Sequence, residues 1–166
     1  MKFGCVIPAR YGSTRLPGKP LADIAGKPMI ERVYARVLQA TKTVCTIVAT
    51  DDNRVYSAVQ QFGGTVMMTD PNLPTGTDRL AEVASHYTDL DVVINVQGDE
   101  PMIDPNLIDD LACLFEEDPN LQMATVATPL LEEEYEEPSA VKVILNNRND
   151  AMYFSRSLIP YPRHDF

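Results

Sequence analysis

Apolar positions change their period several times along the chain. Residues 3–7 form a short, nearly continuous apolar run, the pattern of a strand covered on both faces. Further on, Ile30, Val33, Tyr34, Val37 and Leu38 recur at i, i+3 and i+4 and predict an amphipathic helix. Residues 46–50 return to a strand pattern and end at Asp51-Asp52. Val55, Ala58, Val59 and Phe62 then mark a second helix, closed by Gly63-Gly64. Residues 65–68 read as strand, Leu80, Val83, Ala84 and Tyr87 as a third helix, and 92–96 as another buried strand. Asp104-Pro105 opens a fourth helix with Leu107, Ile108, Leu111, Ala112 and Phe115 inward. Residues 123–128 and 141–145 are the last predicted strands, separated by the acidic run 132–137, which reads as a solvated face. Strands alternating with helices predict an α/β fold. At 166 residues the chain suits one domain, 1–166, burying roughly 70% of its unfolded surface.

Composition narrows the setting. No apolar run reaches the ~18 residues a membrane span needs, and the chain opens in a strand pattern rather than a signal peptide. Cys5, Cys45 and Cys113 are odd in number, lack Cys-x-x-Cys spacing and sit in apolar runs, so they read as reduced core residues of a cytoplasmic protein. A net charge of −10 argues against a nucleic-acid partner. The distribution is uneven: residues 1–42 carry eight Lys/Arg against Asp23 and Glu31, a local +6 that leaves −16 on the remainder. A basic segment in an acidic body can focus a small anion at one place.

That segment contains Ala9-Arg10-Tyr11-Gly12-Ser13-Thr14-Arg15-Leu16-Pro17-Gly18-Lys19-Pro20, directly after the first strand. Glycines admit backbone N–H groups close to a ligand, and Arg10, Arg15 and Lys19 can neutralise a multiply charged one such as a nucleoside triphosphate. It is not a Walker A loop, whose glycines lie closer together and whose lysine precedes Ser or Thr. Here Pro20 follows Lys19. A second constellation, Gln97-Gly98-Asp99-Glu100-Pro101, ends a predicted central strand. Asp99, with Glu100 second, is the candidate carboxylate for Mg²⁺ held against phosphate oxygens, the other reading being a tight turn with Asp99 on backbone N–H groups. Thr75 and Asp78 have capping-box spacing, so Gly76 and Thr77 fall in a first helical turn whose N–H groups either face a polar ligand or serve the cap alone. Asp51-Asp52 reads as an acidic helix cap in preference to a metal site. His86 and His164 form no triad, and no Gly-x-Ser-x-Gly is present. Direct displacement at phosphorus is therefore the economical chemistry.

The loop 8–21, with 26–30, Thr50-Asp51, 76–79, 95–101 and Tyr153-Phe154-Ser155-Arg156, resembles the 3-deoxy-manno-octulosonate (Kdo) cytidylyltransferases along the whole chain. The resemblance implies the nucleotide-diphospho-sugar transferase fold, a Rossmann-like α/β/α sandwich with a mostly parallel mixed sheet. It implies reaction of CTP with Kdo to CMP-Kdo and pyrophosphate in lipopolysaccharide synthesis, with Mg²⁺ as cofactor and a homodimer as the assembly. Ala9, Arg10, Gly12, Ser13, Arg15 and Lys19 are similar to the family's nucleotide ligands, Lys19, Arg15 and Asp99 acting in catalysis and Asp99 also as metal ligand. Thr75, Gly76 and Arg79 match the segment near the cytidine, and Gln97, Arg156 and Arg163 the sugar-binding residues. Members of the family run longer than this chain. A second metal-binding aspartate, further sugar ligands and much of the dimer interface are expected beyond Phe166, where the apolar ending reads as an interrupted chain. An enzyme for an 8-amino Kdo analogue or another sugar acid, a glycosyltransferase, and a nucleotide-binding fragment without activity share many of these features.

Overall fold

Strand β1 (Phe3–Pro8) is buried along nearly its whole length because it has neighbours on every side. It pairs in parallel with β4 (Thr43–Thr50) and with β6 (Val92–Asn95), and β5 (Val66–Met68) pairs in parallel with β4, giving the order β5-β4-β1-β6. A computed structural model of the chain describes residues 1–12, 16–161 and 163. Residues 1–124 and 125–166 form two compact units.

In the first unit, side-chain alternation along the strands separates two cores. Phe3, Cys5, Ile7, Val48 and Ile94 face α1 (Met29–Val37), α2 (Asn53–Gln61) and α4 (Pro105–Glu117), meeting Ile30, Val33, Val55, Val59 and Ile108. Val6, Ile47 and Ala49 point the other way, onto Val83 of α3 (Gly76–His86). The sheet therefore lies between two helical layers, as the family resemblance implied. Burial pushes the Cys5 thiol up to about 12, in keeping with its reading as a core residue. Asp109 of α4 accepts hydrogen bonds from the Thr41 and Lys42 amides (2.9 Å each) and ties that helix to the turn before β4. The minimal hairpin of β2 (Asp23–Ile24) and β3 (Lys27–Pro28) had no signature in the apolar pattern.

In the second unit, β7 (Lys142–Leu145) forms an antiparallel hairpin with β8 (Ala151–Ser155). The buried Lys142 ammonium donates to the Glu137 carbonyl at 2.7 Å. The acidic run is largely exposed, as expected, and β7 matches the predicted strand at 141–145. The strand predicted at 123–128 is absent: those residues pair with no strand among those described, and Met123 is 82% exposed. Residues of high β-propensity become a strand only where a sheet edge accepts their ladder. Among the described residues, no helix is long and apolar enough to cross a membrane.

Candidate active site

The four parallel strands end on one edge of the sheet, and their outgoing loops carry the predicted chemistry. From β1 the chain runs to β4 and β5 on one side, then returns to place β6 on the other, so the strand order reverses between β1 and β6. The crevice at such a reversal is where α/β proteins bind ligands. The loops after β1 and β6 meet there. The Lys19 ammonium lies 2.5 Å from Asp99 Oδ2, with both side chains part-exposed. Gly98 makes this approach possible, since a Cβ on it would sit 2.7 Å from the Pro8 carbonyl oxygen.

The basic loop is closed at its base. Gly18 donates its N–H to the Tyr11 carbonyl at 2.9 Å and adopts φ 71°, a left-handed conformation that favours glycine. A Cβ added to it would lie 3.1 Å from the Tyr11 ring, and the Arg54 guanidinium covers that ring 3.3 Å from the centroid. Arg54 in turn is held by Asp52, whose carboxylate caps α2 through the Arg54 amide at 2.8 Å. The cap reading of Asp52 is thus the one the structure adopts, and the Arg54 contacts hold its carboxyl below the usual range. Lys19 opens a short 3-10 turn, Lys19–Leu21. Ser13 and Arg15 lie outside the described residues. Ala9 is buried beneath the loop and Gly12 is exposed in it.

Arg10 reaches across to the segment before α3. Its Nη2 donates to the Leu73 carbonyl at 2.8 Å, Nη1 to Pro74 at 3.2 Å, and Nε lies 3.6 Å from Asp51. Thr75 and Asp78 form the predicted capping box, with Gly76 in the first turn. Arg79 does not open to the crevice: it is 0% exposed, bonded to Thr69 Oγ1 and, at 2.7 Å, to Asp51 Oδ2. Gln97 is exposed at the end of β6, and its carbonyl accepts the Glu100 amide. Burial and the neighbouring Asp99 charge raise the Glu100 carboxyl above its ordinary value. Arg156 and Arg163 belong to the second unit and are exposed there, with Arg156 donating to the Pro138 carbonyl at 2.7 Å.

No group of three or more His, Cys, Asp or Glu side chains that could hold a metal occurs among the described residues. Asp99, with Glu100 beside it, is the donor set of the crevice. That set fits a magnesium ion arriving on phosphate oxygens, which needs one or two carboxylates, and does not amount to a cage of protein ligands. A shallow hollow at the β5 edge, lined by Tyr56, Met67, His86 and Tyr87 among others, lacks the arginines and lysine that phosphates require. Sequence reasoning missed the two-sided role of Asp51, the Arg54–Tyr11 stack and the close approach at Gly98. Only the position of Asp51 at the end of a buried strand hinted at any of these.

The cytidylyltransferase family model matches residues 4–166. The 3-deoxy-manno-octulosonate cytidylyltransferase of Escherichia coli is 55% identical over 159 residues, covering 96% of this chain and 64% of that protein. Its counterpart in Syntrophotalea carbinolica is 52% identical over 98% of this chain and 65% of the relative. A solved structure of CMP:2-keto-3-deoxy-manno-octonic acid synthetase complexed with CTP matches with a TM-score of 0.93 and 55% identity, over 98% of this chain and 67% of that one. The chain thus spans about two thirds of the length of the proteins it matches.

Proposed function

The chain belongs to the cytidylyltransferase family, and from that premise we propose that it forms the CTP-binding part of a Kdo cytidylyltransferase. CMP is transferred from CTP to the anomeric hydroxyl of Kdo: the hydroxyl gives up its proton to water as its oxygen bonds to the α-phosphorus, the bond from that phosphorus to the α–β bridging oxygen breaks, and pyrophosphate leaves with the electron pair. The observation carrying this reading is the meeting of Lys19 and Asp99 in the crevice between β1 and β6, beside the basic loop. Lys19, Arg10 and Arg15 neutralise the triphosphate, and Lys19 faces the charge that grows on the departing pyrophosphate. Ala9, Gly12, Ser13 and Thr75 line the nucleotide, while Gly76 and Thr77, in the first turn of α3, bring backbone N–H groups toward it. Arg79 acts from behind, fixing the start of α3. Asp99 would hold a magnesium ion, which supplies further charge neutralisation when bound. Gln97 contacts the sugar acid. A homodimeric, cytoplasmic enzyme of lipopolysaccharide synthesis is the setting that fits.

The test is pyrophosphate release by the full-length protein given CTP with Kdo, 8-amino Kdo or sialic acid. Kdo should support the highest kcat/KM, and Asp99→Asn should abolish turnover while metal-free CTP binding persists. Equal turnover with sialic acid, or normal turnover in Asp99→Asn, would overturn the assignment.

A further inference from the structure

Asp51 has no part in the ligand set above, yet it is the carboxylate on which two arginines converge. It follows the last residue of β4 directly, and its side chain is 15% exposed. Arg79 Nη2 at 2.7 Å and Arg10 Nε at 3.6 Å both approach the same oxygen, Oδ2. Arg79 is wholly buried, its second terminal nitrogen bonds Thr69 Oγ1, and its Nε has no hydrogen-bond partner. Thr69 itself donates to the Thr50 carbonyl at 3.0 Å. Asp51 is therefore the carboxylate paired with the buried charge of Arg79, and such a charge is tolerated only when paired.

The partners of Asp51 come from different loops. Arg10 belongs to the basic loop after β1, Thr69 to the turn after β5, and Arg79 to the first turns of α3. Arg10 also donates to the Leu73 and Pro74 carbonyls, directly before the α3 cap. Given the CTP reading above, on which this role depends, we propose that Asp51 is a positioning residue of the nucleotide site. It neutralises Arg79 from within and holds Arg10 by its Nε, leaving the two terminal nitrogens of Arg10 on groups they can exchange for phosphate oxygens. The carboxylate thereby keeps the triphosphate loop and the 73–76 segment in one register before the nucleotide arrives.

The experiment is a double-mutant cycle on the full-length protein, with CTP and CMP affinities read by calorimetry and folding by thermal melts. Asp51→Asn should weaken CTP about tenfold, the scale of one lost charge-assisted contact, and CMP several-fold less. Arg10→Gln should lose a similar factor, and the double variant should bind no worse than Arg10→Gln alone, because both remove the same element. A merely structural Asp51 would lower both affinities alike. Should Asp51→Asn fail to fold, the paired Asp51→Leu/Arg79→Met variant removes both buried charges, and it should still show the CTP-selective loss. Losses that multiply in the double variant, or equal losses for CTP and CMP, overturn the role of Asp51. A wild-type protein that binds no CTP overturns the functional reading, and this role with it.

Discussion

Replacing Gly98 by Ala tests the architecture of the crevice with a single methyl group. The added Cβ would lie 2.7 Å from the Pro8 carbonyl oxygen, with the Pro8 carbonyl carbon at 3.6 Å and Ala9 Cα at 3.7 Å. A carbon and an oxygen need more than 3 Å, and every crowding atom is backbone, so no side chain can rotate away. The loop after β6 must move by several tenths of an ångström from the end of β1. Overpacking of this kind costs about 1–3 kcal/mol, which for a chain of this length lowers Tm by roughly 2–4 °C per kcal/mol. The same shift carries Asp99 away from Lys19, 2.5 Å distant across the crevice, so kcat should fall further than stability accounts for. Gly76→Ala is the matched control for stability alone. Its Cβ would meet Pro8 Cγ at an ordinary 3.7 Å inside a helix, where Ala is favoured over Gly by up to about 1 kcal/mol. Differential scanning calorimetry of both variants, with pyrophosphate release by Gly98→Ala at saturating CTP, decides the matter. A Gly98→Ala protein as stable and active as wild type, or a Gly76→Ala protein equally destabilised, would refute the steric argument.

Two further outcomes follow from the contacts described. Lys19 and Asp99 are both part-exposed, so Lys19→Gln should cost at most about 1 kcal/mol in urea unfolding while lowering kcat/KM by about one to two powers of ten; the reverse ranking would make the pair structural. For Asp109, burial opposes ionisation, but the Thr41 and Lys42 amides outweigh it and hold the carboxyl below its ordinary value. A depressed folded-state pKa stabilises above the unfolded value near 4 and is lost as pH falls through the folded one. Asp109→Asn should therefore cost about 1–2 kcal/mol at pH 7, with the gap to wild type closing below about pH 4; a gap constant down to pH 2 would contradict the linkage.

Local chemistry made much of this protein legible before its fold was known. The periods of residues 3–7, 30–38 and 107–115 specified strand or helix because each apolar face had to be buried whatever it packed on. The capping box at Thr75 and the cap at Asp52 are contacts between near neighbours, and the chain states them outright. The clustered cations of the basic loop announced an anion. What tertiary structure alone decided are the relations across long separations. Lys19 meets Asp99 because β1 and β6 are adjacent in the sheet, and no periodicity encodes which strand pairs with which. The same ambiguity left 123–128 unpaired and hid β8, since a ladder depends on the edge offered as much as on the residues presented. Arg79 and Asp51 make the point most sharply. In sequence Arg79 reads as a candidate nucleotide ligand and Asp51 as part of an acidic helix cap, yet folding buries the first and sets the second against two guanidiniums. The free energy of a charge is fixed by the groups around it, and those are assembled only when distant loops converge.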